Sequence, residues 1–64
     1  MTSDRDVVEA FLAAVKNLSA REAAALLSGV SHDDVARWRR GEWKRLTAAK
    51  RRALLRFLEG GVDT

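Results

Sequence analysis

Residues 21–41 read REAAALLSGVSHDDVARWRRG, and the fold of the chain turns on how this stretch is parsed. Ala24 and Ala25 lack bulk, so a second helix can lie close to the one that carries them. Gly29 takes positive φ without steric cost and suits the position just past a helix end. Val30 plugs the space beneath the turn, and Ser31 restarts the chain as an N-cap whose hydroxyl accepts from a backbone N–H near Asp34. Val35 and Trp38 then point inward together. The spacing predicts two short helices over 20–27 and 32–40 that cross at a tight turn, a helix-turn-helix.

The second of these helices has two unlike faces. At roughly 100° per residue, His32, Asp33, Ala36, Arg37 and Arg40 fall in one arc about 140° wide, with Val35 and Trp38 pointing away from it. The outward arc is small at its centre, at Ala36, and is lined by groups that donate or accept hydrogen bonds. A helix that enters the DNA major groove needs those features, because bulk midway blocks entry and polar tips read base edges and phosphates.

Outward from this stretch, Ser3 opens a helix over about 4–17 with Asp4 and Asp6 in its first turn, where the helix dipole favours negative charge. Val7, Val8, Phe11, Leu12, Val15 and Leu18 recur on it at helical spacing as a core stripe. Ser19-Ala20-Arg21-Glu22 is a full capping box that starts the next helix. After Gly41 comes a loop or single turn, and Thr47 caps a last helix over 48–59. Its core face is Ala49, Ala53, Leu54 and Phe57. Leu55 and Leu58 form a strip that reads either as a candidate homodimer surface or as scattered surface apolar residues, and residues 60–64 read as a flexible tail.

The whole is expected to be one all-α domain over 1–64, with four to five helices. Proline and cysteine are absent, and the chain is rich in Ala, Leu, Arg and Glu with few strand formers. A chain of 64 residues has a small core, burying only about 60% of its unfolded surface on folding. Without cysteine there is no disulfide staple and no thiolate metal site. No apolar run approaches a membrane span, and the polar start Met1-Thr2-Ser3-Asp4 does not read as a signal peptide. A cytoplasmic, nucleoid-associated protein of bacterial or phage origin is expected, with no membrane, small-molecule or cofactor partner.

The net charge of +3 is unevenly laid out. Between positions 37 and 56 nine basic residues stand against Glu42 alone, leaving +8, whereas positions 1–18 carry two basic and three acidic residues, leaving −1. Such a lopsided field points to a polyanion, and its basic half begins within the outward-facing helix, at Arg37.

Gly29-Val30-Ser31, then Val35, then Trp38-Arg39-Arg40-Gly41-Glu42 resembles the lambda-repressor-like family of phage and bacterial helix-turn-helix regulators, over about two thirds of the chain. The resemblance implies sequence-specific binding of double-stranded DNA by a transcriptional regulator, most often a repressor. In that family the first residue of the leading helix and the first, second and sixth of the recognition helix approach DNA; here they are Arg21, His32, Asp33 and Arg37. Arg21 and His32 stand where many members carry glutamine, so the glutamine–adenine contact is not implied. Relatives commonly carry a fifth helix that supports dimerisation, and the sequence ends before one.

The full DNA-facing set is Arg21, Ser31, His32, Asp33, Ala36, Arg37, Arg40, Trp43, Lys44 and Arg45. Arg37 and Arg40 can pair bidentately with guanine or clamp a phosphate. Trp43, Lys44 and Arg45, with Lys50 or Arg51 behind them, are candidate backbone contacts, while Arg39 points partly toward the scaffold. Asp34 reads as a helix-start charge, and Asp33 either as the same or as an acceptor for cytosine N4. His32 is the only histidine, so zinc is not expected, and no nucleophile or pocket beside it suggests catalysis. The rival readings are an excisionase-like or antitoxin-like DNA-binding factor, and a helical protein-interaction module with a basic face.

Overall fold

The computed structural model describes residues 3–60, all helix and connecting turn without strands. Its elements are α1 (Asp4–Ala14), α2 (Ala20–Ala25), α3 (His32–Arg40) and α4 (Ala48–Gly60). Helix α1 is the middle of the arrangement: it packs on α4 to one side and α3 to the other, and α2 is held chiefly by its close pairing with α3. Residues 61–64 of the expected tail lie outside the described residues.

Each start is fixed by a hydroxyl. The Asp6 N–H donates to Ser3 Oγ at 3.1 Å, and the Lys50 N–H to Thr47 Oγ1 at 3.2 Å. Ser19 and Ser31 each head a complete capping box, with Glu22 and Asp34 returning the bond to the cap's own N–H. Such reciprocal pairs satisfy donors that a helix start leaves orphaned. Helix α3 ends at Gly41, where φ is +76° and the Glu42 N–H reaches back to the Arg37 carbonyl at 2.9 Å. That is the six-to-one bond of a Schellman turn, which requires a left-handed residue and so favours glycine.

Two helices are shorter than their sequence pattern. Helix α1 stops at Ala14 rather than 17, and its last turn holds no basic residue to cap it. The cap comes from far along the chain: Arg39 Nη2 donates to the carbonyls of Val15, at 3.0 Å, and Leu18, at 2.7 Å. One guanidinium thus satisfies the carbonyls where the chain leaves α1 and ties them to α3. Helix α2 ends at Ala25 rather than 27, since the Leu26 and Leu27 N–H groups bond only three residues back, in a tightened turn. Six residues, 26–31, then lead to α3, with Gly29 at φ +78° as its position predicts.

The core is a single cluster with Phe11, Leu54, Val7, Val8, Val15 and Val35 as its largest fully buried members. Phe11 meets the Trp38 ring edge to face at 6.1 Å and the Phe57 ring at 5.4 Å, so one side chain of α1 contacts both α3 and α4. Such T-shaped pairs add about 0.5–1.5 kcal/mol to the burial itself.

Three expectations about faces are corrected. Ala25 is exposed; the small residues buried in α2 are Ala23 and Ala24. The core-facing row is 20, 23, 24 and 27, and Ala25 lies about 150° from the centre of that row. On α4 the buried arc centres on Leu54, which leaves Ala49, about 140° away, exposed. Leu55 packs against the core instead of facing out, so Leu58, 37% exposed, stands without the partner that a dimer strip would need. Leu46 lies in the connecting loop, as expected, but is buried.

Arg39→Ala should lower stability by about 1–3 kcal/mol, because it strands the Leu18 carbonyl and takes a charged donor from the Val15 carbonyl, which keeps only the Leu18 N–H. Arg39→Lys should recover only part of that, as one ammonium cannot span both carbonyls as a planar fork does. Urea denaturation of the three proteins checks this; equal stability of all three would show that solvent caps the helix just as well.

Candidate nucleic-acid interface

The outward face of α3 is set by what its inward face must do. Val35 is fully buried and Trp38 nearly so, which fixes the helix about its own axis and turns His32, Asp33, Arg37 and Arg40 into solvent. Ala36 is half-buried between them, so the middle of the face is low. The His32 Nε2 lies 3.5 Å from Asp33 Oδ1, an ion pair whenever the ring is protonated. Ser31 is exposed, but its hydroxyl and amide are engaged in the capping box with Asp34. On the neighbouring helix, Arg21 is exposed near the start of α2.

At the far end of α3 the chain makes a basin of about 230 Å³, lined in part by Arg37, Trp43, Lys44 and Arg45. Four candidates separated by up to eight positions are therefore brought together. Trp43 is half-buried against the core, so its ring serves as packing and wall at once. Arg21, His32, Asp33 and Arg40 lie outside this basin. Arg40 is exposed, yet its Nε donates to Glu42 Oε1 at 3.1 Å, which offsets part of its charge.

Lys50 and Arg51 differ most from their expected role as backbone contacts. Lys50 Nζ donates to Asp34 Oδ1 at 3.1 Å, and Arg51 Nη1 to Asp4 Oδ1. Helix α4 has no acid in its first turn, so carboxylates from α3 and α1 supply the negative charge its N-terminal end favours. Asp34 thereby does three things: it completes the cap of α3, accepts from Lys50, and joins the starts of two helices. Asp4 also accepts from the Leu46 N–H at 3.1 Å, tying the loop to α1. The residue type alone gives no sign of these links, since Asp4 reads as an ordinary helix-start charge.

Both carboxyls are held below the ordinary value of 3.8. For Asp4 the main cause is the bond from the Leu46 amide, which, with Arg51, outweighs the opposing effect of burial. For Asp34 burial is the largest single influence and raises the pKa, but the bonds from Lys50 and the Ser31 amide together overcome it. Among the described residues no cluster of His, Cys, Asp and Glu is arranged to hold a metal, and no helix is long and apolar enough to cross a membrane. Compared with protein families, curated proteins and solved structures, the chain matches none.

Carboxyls with depressed folded values lend stability that is full above the unfolded pKa and is lost as pH falls through the folded one. The urea midpoint should therefore fall progressively as pH drops below the ordinary carboxyl value of 3.8, and the paired substitution Asp4→Asn with Asp34→Asn should flatten that limb while lowering the midpoint at neutral pH. Parallel acid limbs for the two proteins would remove both aspartates as its cause.

Proposed function

We propose that the chain is a DNA-binding transcriptional regulator, with α2 and α3 acting as a helix-turn-helix and α3 as the recognition helix in the major groove. One observation carries this reading: α3 presents a low, polar face, with Ala36 at its centre and His32, Asp33 and Arg37 around it, on a helix anchored from behind by Val35 and Trp38. The resemblance of Gly29-Val30-Ser31 and Trp38-Arg39-Arg40-Gly41 to lambda-repressor-like regulators supports the same assignment. It makes the protein a binding module, most simply a repressor, with no catalytic step.

Within this reading the contacts divide by chemistry. Arg37 is exposed, forms no ion pair within the described fold and sits beside the low centre of α3, so it is the residue for base edges. Arginine matches guanine O6 and N7 with two parallel donors. Lys44 and Arg45, on the loop after α3, are placed for phosphates, which position a protein without reading sequence. Asp33 faces solvent beside His32 and is an acceptor for cytosine N4. It would also repel a misplaced phosphate, which favours selectivity over affinity.

Selection of bound sites from a random duplex pool tests the proposal directly. A recovered consensus, with affinity that falls steeply as salt rises, is the expected result. Steep salt dependence without a consensus would leave a non-specific DNA binder, and no binding at low salt would favour the protein-interaction reading. On the selected site, Arg37→Ala should cost roughly 1–3 kcal/mol and relax the preference at one base position. A uniform loss on every duplex would assign Arg37 to the backbone. Lys44→Ala should weaken binding to all sequences alike and reduce the salt slope by about one unit; an unaltered slope would take Lys44 off the phosphates.

A further inference from the structure

Helices α2 and α4 do not pack directly on one another. The gap between the end of α2 and the side of α4 is an open groove of about 350 Å³, and it shares no lining residue with α3. Its apolar part is Leu26, Leu27, Ala53 and Phe57, and Leu26, half exposed, is the most exposed large apolar side chain among the described residues. Phe57 turns one side to Phe11 in the core and also lines the groove. Ser28 and Ala49 also line it, and Arg52 and Arg56 edge it one helical turn apart on the same side of α4.

The charge here is unlike that elsewhere on α4. Lys50 and Arg51 each meet a carboxylate, whereas Arg52 and Arg56 make no ion pair within the described fold, and no acid lines the groove. An apolar trough edged by two unopposed cations at one-turn spacing is complementary to an acidic amphipathic helix. Its apolar side chains would cover Leu26 and Phe57, while carboxylates four residues apart would meet Arg52 and Arg56. A phosphate backbone matches the cations but gains nothing from covering Leu26 and Phe57.

We propose that this groove is a docking site for an acidic amphipathic helix of a partner protein. Because the groove and the α3 face have no residue in common, a partner can be held while α3 is engaged. The proposal does not depend on what α3 binds.

The test uses the full chain and two synthetic helical peptides, one with a leucine stripe flanked by glutamates four apart, the other with every glutamate replaced by lysine. Amide resonances are followed during titration, and affinities are measured by fluorescence anisotropy. The acidic peptide should bind saturably, with shifts centred on Leu26, Ala53 and Phe57, and the basic twin should not. Arg52→Glu combined with Arg56→Glu should weaken the acidic peptide by about tenfold or more and admit the basic one. Leu26→Asp, at an exposed position, should weaken the acidic peptide while leaving the fold intact by resonance dispersion, and Arg37→Ala should leave its affinity unchanged. Failure of the acidic peptide to bind, or equal binding of both peptides, overturns the proposal. So do groove shifts that appear with protein concentration alone, the mark of a second copy, and displacement of the acidic peptide by random duplex with shifts at Arg52 and Arg56, the mark of a nucleic-acid face.

Discussion

The contact of Phe11 with Trp38 sets the orientation on which the rest of the surface depends. Phe11 is fully buried at the middle of the central helix, and Trp38 meets it edge to face from α3. With Val35 also fully buried, α3 has two inward anchors three residues apart and no freedom to roll. The polar arc at His32, Asp33, Ala36 and Arg37 is then the face left over. In a chain of this size the same few apolar side chains must both close the core and aim the site, since only about 60% of the unfolded surface can be buried.

Polar ties distribute that constraint to the ends of the helices. Arg39 reaches from α3 to the carbonyls of Val15 and Leu18, Asp34 reaches from the start of α3 to Lys50, and Asp4 joins the start of α1 to both Leu46 and Arg51. Each bridges segments at least sixteen positions apart, so each opposes the loop entropy that a small helical domain must overcome. Exposed pairs of this kind are individually weak. Asp4 and Arg39 are stronger devices because each engages two partners, of which one of Asp4's and both of Arg39's belong to the backbone.

Local signals were legible where the physics is local. The capping hydroxyls at Ser3, Ser19, Ser31 and Thr47, the left-handed Gly29, the stripe of α1 and the bounds of α3 all follow from residues within one turn of one another. The errors share a cause of the opposite kind. Nothing near Val15 predicts that α1 stops there, because its cap is Arg39, twenty-four positions later. Nothing near Lys50 or Arg51 reveals that their charge is engaged by aspartates on other helices. The faces of α2 and α4 are rotated from their sequence pattern because periodicity fixes a stripe only to within about a residue's rotation, and tertiary packing chooses Ala23 over Ala25 and Leu55 over Ala49 as core. For the candidate site, the face of α3 was readable from its angles, whereas the basin uniting Arg37 with Trp43, Lys44 and Arg45 depends on how the loop after Gly41 runs.

Those ties also redraw the charge pattern. Counted along the sequence, positions 37–56 form one block of +8. In the folded chain that block is divided, because Arg39 is occupied by carbonyls and Arg40, Lys50 and Arg51 by carboxylates. The cations left to act outward fall into two groups, Arg37, Lys44 and Arg45 about one basin, and Arg52 and Arg56 along one groove. The first group surrounds polar surface and a tryptophan wall in a basin that Asp34 and Glu42 also line, the setting of the proposed DNA contact. The second edges apolar surface, a setting for a ligand with carboxylates and an apolar side of its own. A single basic block would serve one partner; its division by internal pairing is what gives a domain of this size two chemically distinct faces.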